Sequence, residues 1–448
     1  MTVHRILRAV SVAWLAFAGG VFAAAGFDPL AQPVGTLSPL AISNFNLSSK
    51  NENVYQAWFE SLNWSGDVSA YLVDNAGRIT PTPRWSARQS LDNQVKWNWL
   101  TAGGASAHAG RTIIANINGT SDFFDWGLLK NKQQKWLAAA PINIDQDLLN
   151  FIRGDNSKEL PFVVSDGESP AKDTTLSGSL TGKFRARASA MGDVTHSKII
   201  YVGSPSASYF YDDYLTFLKT HPREGRVYFG ANDGMLHSVR APIQGAGAGG
   251  GGNLAGGGGA GAATGGGDEV FAYIPSMLIP KLQTLAANPY AHNYFVDGGM
   301  AVADANFTPG TNGWRTVLVG GLGAGGRGLY ALDVTDETPL TTQKQVKDKI
   351  LWELTEVNLP ELGNVYGDPL ITRIKDGRWV ALVGNGYNNG YNGTAGNGHA
   401  VLYVLDVSSG KVIAALDTGS GSKISPNGLS SPTAVDSLRS CSTFLSAW

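Results

Sequence analysis

The sequence RGLYALDV, residues 327–334, has the pattern of a β-strand that is covered on both faces. Its odd-numbered residues from 329 to 333 would face one side of a sheet, and its even-numbered residues from 330 to 334 the other side. TVLVG at 316–320 precedes it across a glycine-rich turn, and ILWEL at 350–354 follows it after a loop. These segments predict consecutive antiparallel strands.

The same strand-and-hairpin motif occurs more than once in this chain. LYALDV at 329–334 returns as LYVLDV at 402–407, and a third hairpin spans 226–241 with an Asn-Asp-Gly turn that suits positive φ. Each hairpin is preceded and followed by a further strand. The three copies lie at 193–275, 294–355 and 364–418. A sheet of four antiparallel strands in each copy is the blade of a β-propeller, so the sequence predicts an all-β fold.

The section before these copies has a less regular pattern of the same kind. Strands are predicted at 54–60, 64–73 and 111–117, and they would form one further blade. Short helical insertions are predicted by apolar periodicity at several places. They lie at 87–94, 128–137, 145–152, 212–220 and 275–287.

The first residues of the chain and one glycine-rich stretch predict export and a flexible insertion. Residues 1–25 read as a secretory signal peptide, with a cationic start and an apolar run, and 26–52 as an extended segment that leads to the propeller. The Gly/Ala stretch at 245–267 is predicted to be a flexible insertion within one blade. The single cysteine, Cys441, excludes an intrachain disulfide.

Charge and composition exclude one class of partner. The net charge is −2 and the pI is about 6.4, so the chain as a whole offers no basic field for nucleic acid. Charged residues make up only 16% of the chain, which is more typical of an exported protein than of a cytosolic one.

Arg153, Gly154 and Asp155 form an RGD tripeptide. It has two interpretations: an exposed integrin-type adhesion loop, or a turn in which the glycine bends the chain and the charged residues pair locally. A tripeptide alone does not decide between them.

The residues offer little support for catalysis. Asp333 and Asp406 end strands in two copies, and we interpret them as caps of the following turns rather than as catalytic carboxylates. The histidines have no metal-ligand spacing. They lie at His196, His237, His292 and His399, and the tryptophans at Trp314, Trp352 and Trp379 suit core packing.

Several longer motifs, in one order, resemble the propeller domain of the PilY/PilC family of type IV pilus tip-associated adhesins and pilus biogenesis factors. They lie at 191–205, 225–242, 269–278, 294–302, 314–334 and 362–370, with further similarity at 55–66, 124–137 and 151–155. The resemblance implies a modified, seven-bladed propeller that is exported to the pilus tip, the outer membrane surface or the periplasm. It also implies pilins, minor pilins and the pilus machinery as partners, together with host surface receptors in adhesion.

The family also carries a calcium loop, in which alternate carboxylates provide the oxygen ligands that calcium needs. Residues 430–436 resemble the approach to that loop, so Asp436 is the candidate first ligand, but no carboxylate follows it. We therefore expect a partial propeller at 53–436, an aberrant tail at 437–448, and a complete calcium site only in the intact family form.

Two alternatives to the pilus-associated binding protein stay open at this point. One is a quinoprotein-type dehydrogenase, which would need a catalytic carboxylate, a metal and an aromatic stack in the central pocket. The other is a scaffold propeller in the periplasm, which differs only in its partner. A propeller fold by itself does not choose among them.

Overall fold

The fold was analysed in a computed structural model of the chain. The structure describes residues 41–42, 52–73, 76–101, 111–160, 182–207, 209–241, 266–308, 311, 313–336, 338–435 and 442–444. Several predicted features lie outside these residues: the signal peptide at 1–25, nearly all of the glycine-rich insertion, Asp436 and Cys441.

Four sheets follow one another along the chain, and each is called a blade here. Blade 1 contains β1 (Ala41–Ile42), β2 (Glu52–Glu60), β3 (Ser65–Val73) and β4 (Trp85–Ser86). Blade 2 contains β5 (Ile113–Ile117), β6 (Thr120–Phe123), β7 (Ile200–Val202), β8 (Arg226–Gly230), β9 (Leu236–Arg240) and β10 (Glu269–Ile274). Blade 3 contains β11 (Met300–Asn306), β12 (Trp314–Gly321), β13 (Gly328–Asp333) and β14 (Ile350–Thr355). Blade 4 contains β15 (Leu370–Arg373), β16 (Trp379–Gly384), β17 (His399–Asp406) and β18 (Val412–Gly421).

Beyond blade 4 lies a two-stranded pair, and short helices interrupt the blades. The pair consists of β19 (Thr433–Val435) and β20 (Ser442–Phe444). The α-helices are α1 (Ala87–Thr101), α2 (Asn131–Ala138), α3 (Gln146–Ile152), α4 (Asp212–Thr220) and α5 (Gln343–Lys349). The segment predicted as helical at 275–287 is a 3-10 helix, Ser276–Ala286, with Pro280 inside it. Two single-turn 3-10 helices span Gly323–Gly325 and Tyr391–Gly393.

Strand β13 confirms the alternation predicted for residues 327–334. Leu329 and Ala331 lie in the apolar core between blades 3 and 4. Tyr330 and Leu332 lie in the core between blades 2 and 3. Because β13 contributes side chains to two apolar cores, its sequence has almost no position for a polar residue before Asp333.

Each blade packs its face on the next one. One apolar core lies between blades 1 and 2, a second between blades 2 and 3, and a third between blades 3 and 4. The innermost strands β7, β11 and β15 lie side by side at the centre. This is the stacking of a β-propeller, and in the described part of the chain the sheets do not close into a ring.

Blade 2 corrects the prediction of four antiparallel strands in every copy. Strand β5 was expected in the first blade, but it pairs in parallel with β10, and the β5–β6 hairpin extends blade 2 to six strands. Ile113 and Ile114 are both fully buried, although they point to opposite faces. A strand that is apolar on both faces needs cover on both sides, and a place beside β10 provides it.

Helix α4 is an insertion of blade 2 that reaches over blade 3. The Tyr214 hydroxyl donates to Asp304 Oδ2 at 2.7 Å, and Thr316 Oγ1 donates to Asp304 Oδ1 at 2.5 Å. Both tyrosine and carboxylate are buried, so this hydrogen bond fixes the helix across the blade junction.

We expect Tyr214→Phe to lower the free energy of unfolding by about 1–2 kcal/mol, because the buried Asp304 carboxylate loses a donor. Urea unfolding followed by tryptophan fluorescence measures this loss. Tyr211→Phe is the matched control: the exposed Tyr211 hydroxyl accepts a hydrogen bond from Arg373, and its removal should cost less than about 0.5 kcal/mol. Equal losses in both variants would contradict the anchoring role of Tyr214.

Candidate functional site on the axial face

The candidate site lies where the chain enters the innermost strand of each blade. We call residues 192–199, 291–299 and 364–369 the approaches to blades 2, 3 and 4. Together they form one end of the propeller, which we call the axial face. The hairpin turns of blades 2 and 3 form hydrogen bonds with the approach to the next blade. Phe295 N donates to Asn232 Oδ1 at 2.9 Å, and Gly323 N donates to Val365 O at 3.0 Å.

An aspartate lies in each of the three approaches, and each has a cationic or imidazole partner from another approach. His292 Nε2 lies 2.9 Å from Asp193 Oδ2, and His196 Nδ1 lies 2.6 Å from Asp297 Oδ2. Lys198 reaches Asp368 across the face at 2.7 Å. The axial face is therefore a set of charge pairs that join different blades.

The three pairs differ in their access to solvent. The side chains of His292 and Asp193 are each 1% exposed. In the His196–Asp297 pair the histidine is 44% exposed and the carboxylate 1%. Lys198 and Asp368 are both largely exposed, so solvent screens their attraction. The accessible part of the site is therefore basic at His196 and Lys198, beside the Asp368 carboxylate.

Burial and pairing shift two pKa values in the half-exposed pair. The hydrogen bond that His196 donates to the Asp297 carboxylate raises the pKa of His196, although partial burial opposes the shift. Burial raises the pKa of Asp297, although the His196 contact opposes it. Tyr294 and Tyr366 pack around the imidazole ring, with ring centroids 5.8 and 5.7 Å from it. His196 is thus held by its Nδ1 edge between aromatic rings.

A second cluster of charges is buried inside blade 2. Arg111 lies 2.8 Å from both carboxylate oxygens of Glu269, and its side chain is 0% exposed. His237 Nδ1 contacts Glu269 at 2.8 Å, and its Nε2 contacts Asp233 at 3.1 Å. These contacts link β5 to β10, β9 and the hairpin turn, and we interpret them as structural because Arg111, His237 and Glu269 are almost fully buried.

The predicted RGD tripeptide lies at the end of α3, and its arginine is buried. Arg153 is 2% exposed, donates to Phe124 O at 2.8 Å and to Arg111 O at 3.0 Å, and lies 3.3 Å from Asp125. Gly154 is buried with φ of 114°. The Asp155 carboxylate accepts from Ser157 N at 2.8 Å. The adhesive interpretation stays a prediction that would require Arg153 to leave this position.

The aspartates that end strands in two copies do cap turns. Asp333 Oδ1 accepts from Thr335 N at 2.8 Å, and Asp406 Oδ1 accepts from the backbone N–H groups of Ser408 and Ser409. Three tryptophans that were expected in the cores are buried there, Trp314, Trp352 and Trp379. These predictions are confirmed.

Within the residues that the structure describes, no group of three or more His, Cys, Asp or Glu side chains could hold a metal ion. Asp436, the candidate first ligand of the family calcium loop, lies outside those residues. The expectation that only the intact family form has a complete calcium site therefore stays a prediction.

Sequence reasoning missed the aspartates of the axial face. The signal was present: an Asp beside a Gly precedes the innermost strand at Gly192-Asp193, Asp297-Gly298 and Gly367-Asp368. The histidines gave no such signal, because His196 and His292 lie about a hundred residues from their partners. Only the arrangement of the blades brings them together.

Comparison with known proteins agrees with the resemblance found in the sequence. The type IV pilus biogenesis factor PilY1 of Pseudomonas aeruginosa (strain PAK) is 34% identical over 403 residues, which cover 85% of this chain and 28% of that protein. A PilY1 homolog of Xylella fastidiosa (strain Temecula1 / ATCC 700964) is 33% identical over 386 residues, which cover 84% of this chain and 24% of that protein. This chain thus spans about a quarter of the length of these relatives.

A solved structure and a protein family also match this chain. The crystal structure of the Pseudomonas aeruginosa PilY1 C-terminal domain is 32% identical, with a TM-score of 0.39, and the match covers 54% of this chain and 41% of that one. Residues 191–442, more than half of the chain, match the family described as PilY1 beta-propeller domain. With its blades in the order that the repeated motifs predict, this chain belongs to the PilY1 β-propeller family.

Proposed function

We propose that this protein acts in type IV pilus biogenesis, as a propeller that binds other proteins of the pilus rather than as an enzyme. The observation that carries the proposal is membership of the PilY1 β-propeller family, since the relatives that cover most of this chain are named type IV pilus biogenesis factors. Stabilisation of the pilus against retraction and adhesion to surfaces are part of the same proposal.

The axial face supports a binding role. It presents charged side chains from several blades on one rigid surface, and such a surface suits recognition of another protein. The candidate carboxylates of a quinoprotein-type dehydrogenase, Asp333 and Asp406, are engaged in turns. We propose pilins or minor pilins as the partners of this face, and host surface receptors as partners in adhesion.

Export is part of the proposal, because its partners lie outside the cytoplasm. The signal peptide at residues 1–25 would deliver the chain to the periplasm, and from there to the outer membrane surface or the pilus tip. Among the described residues, no helix is long and apolar enough to cross a bilayer. Fractionation of cells and sheared pili, followed by immunoblotting, locates the protein.

Deletion of the coding region tests the function. We expect twitching zones to disappear and sheared surface pilin to fall strongly, with both restored by a plasmid copy. In a strain whose pilus retraction motor is inactive, the same deletion should leave part of the surface pili, because retraction no longer removes them. Unchanged twitching and unchanged surface pilin after deletion would contradict the proposal and favour the periplasmic scaffold.

A further inference from the structure

Two histidine–aspartate pairs cross the junction between blades 2 and 3 in opposite directions. His196, in the approach to blade 2, binds Asp297 in the approach to blade 3 through both its ring Nδ1 and its backbone N–H. His292, in the approach to blade 3, binds Asp193 in the approach to blade 2. Each approach therefore supplies one imidazole and one carboxylate to the same seam.

The two pairs have different surroundings. The ring of His292 stacks on Trp64 of blade 1, with centroids 3.8 Å apart, and Asp193 also accepts from Asn232 and Thr195. The ring of His196, in contrast, is nearly half exposed to solvent, while its carboxylate partner is buried. The ring of His196 is thus accessible to solvent, and the ring of His292 is not.

Titratable and charged groups face the two pairs from several segments, and Lys281 of the 3-10 helix acts on the Asp297 carboxylate. His196 faces Asp297 and Tyr294 from the approach to blade 3, Tyr366 from the approach to blade 4, and Asp193 on its own segment. Lys198, two residues further on, is bound to Asp368. Tyr294, Arg185 and Tyr290 face the His292–Asp193 pair. The nearest charges to His196 are therefore carboxylates, which favour its protonated form.

We propose that the junction between blades 2 and 3 is a pH-dependent clasp, which the His196–Asp297 pair closes when His196 is protonated and loosens when His196 is neutral. A neutral imidazole still donates one hydrogen bond to Asp297, but it no longer balances the buried carboxylate. The His292–Asp193 pair keeps the other end of the seam in place. The clasp therefore loosens the axial face without unfolding the blades.

The direction of the effect follows from linkage. The pKa of His196 is raised in the folded protein, so its contribution to stability is complete below the ordinary histidine value of 6.5 and is lost as the pH rises through the higher folded value. Exposure of the imidazole reduces the size of this contribution, because solvent screens part of the attraction. The clasp is closed at mildly acidic pH and open at alkaline pH.

Hydrogen exchange measured by mass spectrometry on the full mature chain tests the clasp. We expect the protection of peptides covering 192–199 and 291–299, corrected for the intrinsic exchange rate, to fall on the order of tenfold between about pH 6 and about pH 9. His196→Gln keeps a donor but no charge, so it should show the low protection at both pH values.

His399→Gln is the matched control, because His399 and Asp417 form a histidine–aspartate pair between neighbouring strands of blade 4. It should leave the pH response of both peptides unchanged. Asp297→Asn is the second variant, and NMR titration should show the pKa of His196 lowered by it. Equal protection of the wild-type peptides at both pH values would overturn the proposal. So would a pH response that persists in His196→Gln, or a His196 pKa that Asp297→Asn leaves unchanged.

Discussion

Glu269→Gln is expected to lower the free energy of unfolding by about 3–5 kcal/mol, because it leaves the buried Arg111 and His237 without their shared carboxylate. The side chains of Arg111 and Glu269 are 0% and 2% exposed, so water cannot replace the lost charge. A loss of this size is a large fraction of the total stability of a typical protein, about 5–15 kcal/mol. Urea unfolding of the wild type and the variant measures it.

The control for Glu269→Gln is Asp348→Asn, which removes the carboxylate of an exposed pair with Lys344. Its effect should stay within about 0.5 kcal/mol. A small effect of Glu269→Gln, similar to that of the control, would show that the blade 2 cluster contributes little beyond what a neutral amide supplies.

The pH dependence of stability provides an independent check on the same cluster. Burial opposes ionisation of Glu269, but Arg111 outweighs it and lowers the pKa of Glu269 to about 2. Burial also opposes protonation of His237, but Asp233 and Glu269 raise its pKa to about 9. The lowered pKa gives stability above the ordinary glutamate value of 4.5, which is lost as the pH falls towards 2. The raised pKa gives stability below 6.5, which is lost as the pH rises through about 9.

The cluster should therefore contribute most between pH 4.5 and 6.5. Glu269→Gln should flatten both flanks of the stability profile, because it removes one titrating group and reduces the shift of the other. Chemical unfolding across this range, in the wild type and the variant, gives the two profiles. Parallel profiles would contradict the coupling of Glu269 and His237.

Gly230→Ala is expected to lower the free energy of unfolding by about 3 kcal/mol, because an added methyl group would meet the backbone of the next blade. A Cβ on Gly230 would lie 2.2 Å from Val296 O and 2.6 Å from Val296 Cγ1. The obstacle is mainly backbone, which cannot turn away as a flexible side chain can. Relief of the clash would require blades 2 and 3 to separate, which would also open their shared core.

Gly127→Ala is the matched control, since a Cβ there would approach only the Asp125 side chain, at 3.4 Å. Thermal unfolding of both variants compares them, and the melting temperature of Gly127→Ala should stay close to that of the wild type. Equal melting temperatures for the wild type and Gly230→Ala would show that the junction of blades 2 and 3 accommodates a methyl group, which would contradict the prediction.

The same close approach recurs at the junction of blades 3 and 4 and between blade 4 and the segment that follows it. Gly321 would place a Cβ 2.8 Å from Val365 O, and Gly384 would place one 2.2 Å from Ser430 O. Gly384 ends the strand beside the innermost strand of its blade, as Gly321 and Gly230 do. Ser430 thus holds, beside blade 4, the place that Val365 holds beside blade 3.

The sequence by itself determined the strands and their repetition. Residues 327–334 form a short apolar run that a glycine-rich turn precedes and Asp333 ends, which is typical of a strand buried on both faces, and both faces of β13 are apolar. The hairpin turns and the turn-capping aspartates were also predictable, because turn chemistry depends on neighbouring residues alone. These local rules were enough to predict a propeller, and the resemblance of the longer motifs indicated its family.

The tertiary structure alone decided which strands and side chains meet. Strand β5 has a clear pattern, but nothing within it selects β10 as a parallel partner far along the chain. Arg153 stands in a tripeptide that suggests exposure, yet the packing of α3 buries it. The crossed pairs of His196 and His292 form only when two blades lie side by side. The physical reason is that strand patterns follow from local geometry, whereas these contacts require burial between distant segments, which no local pattern encodes.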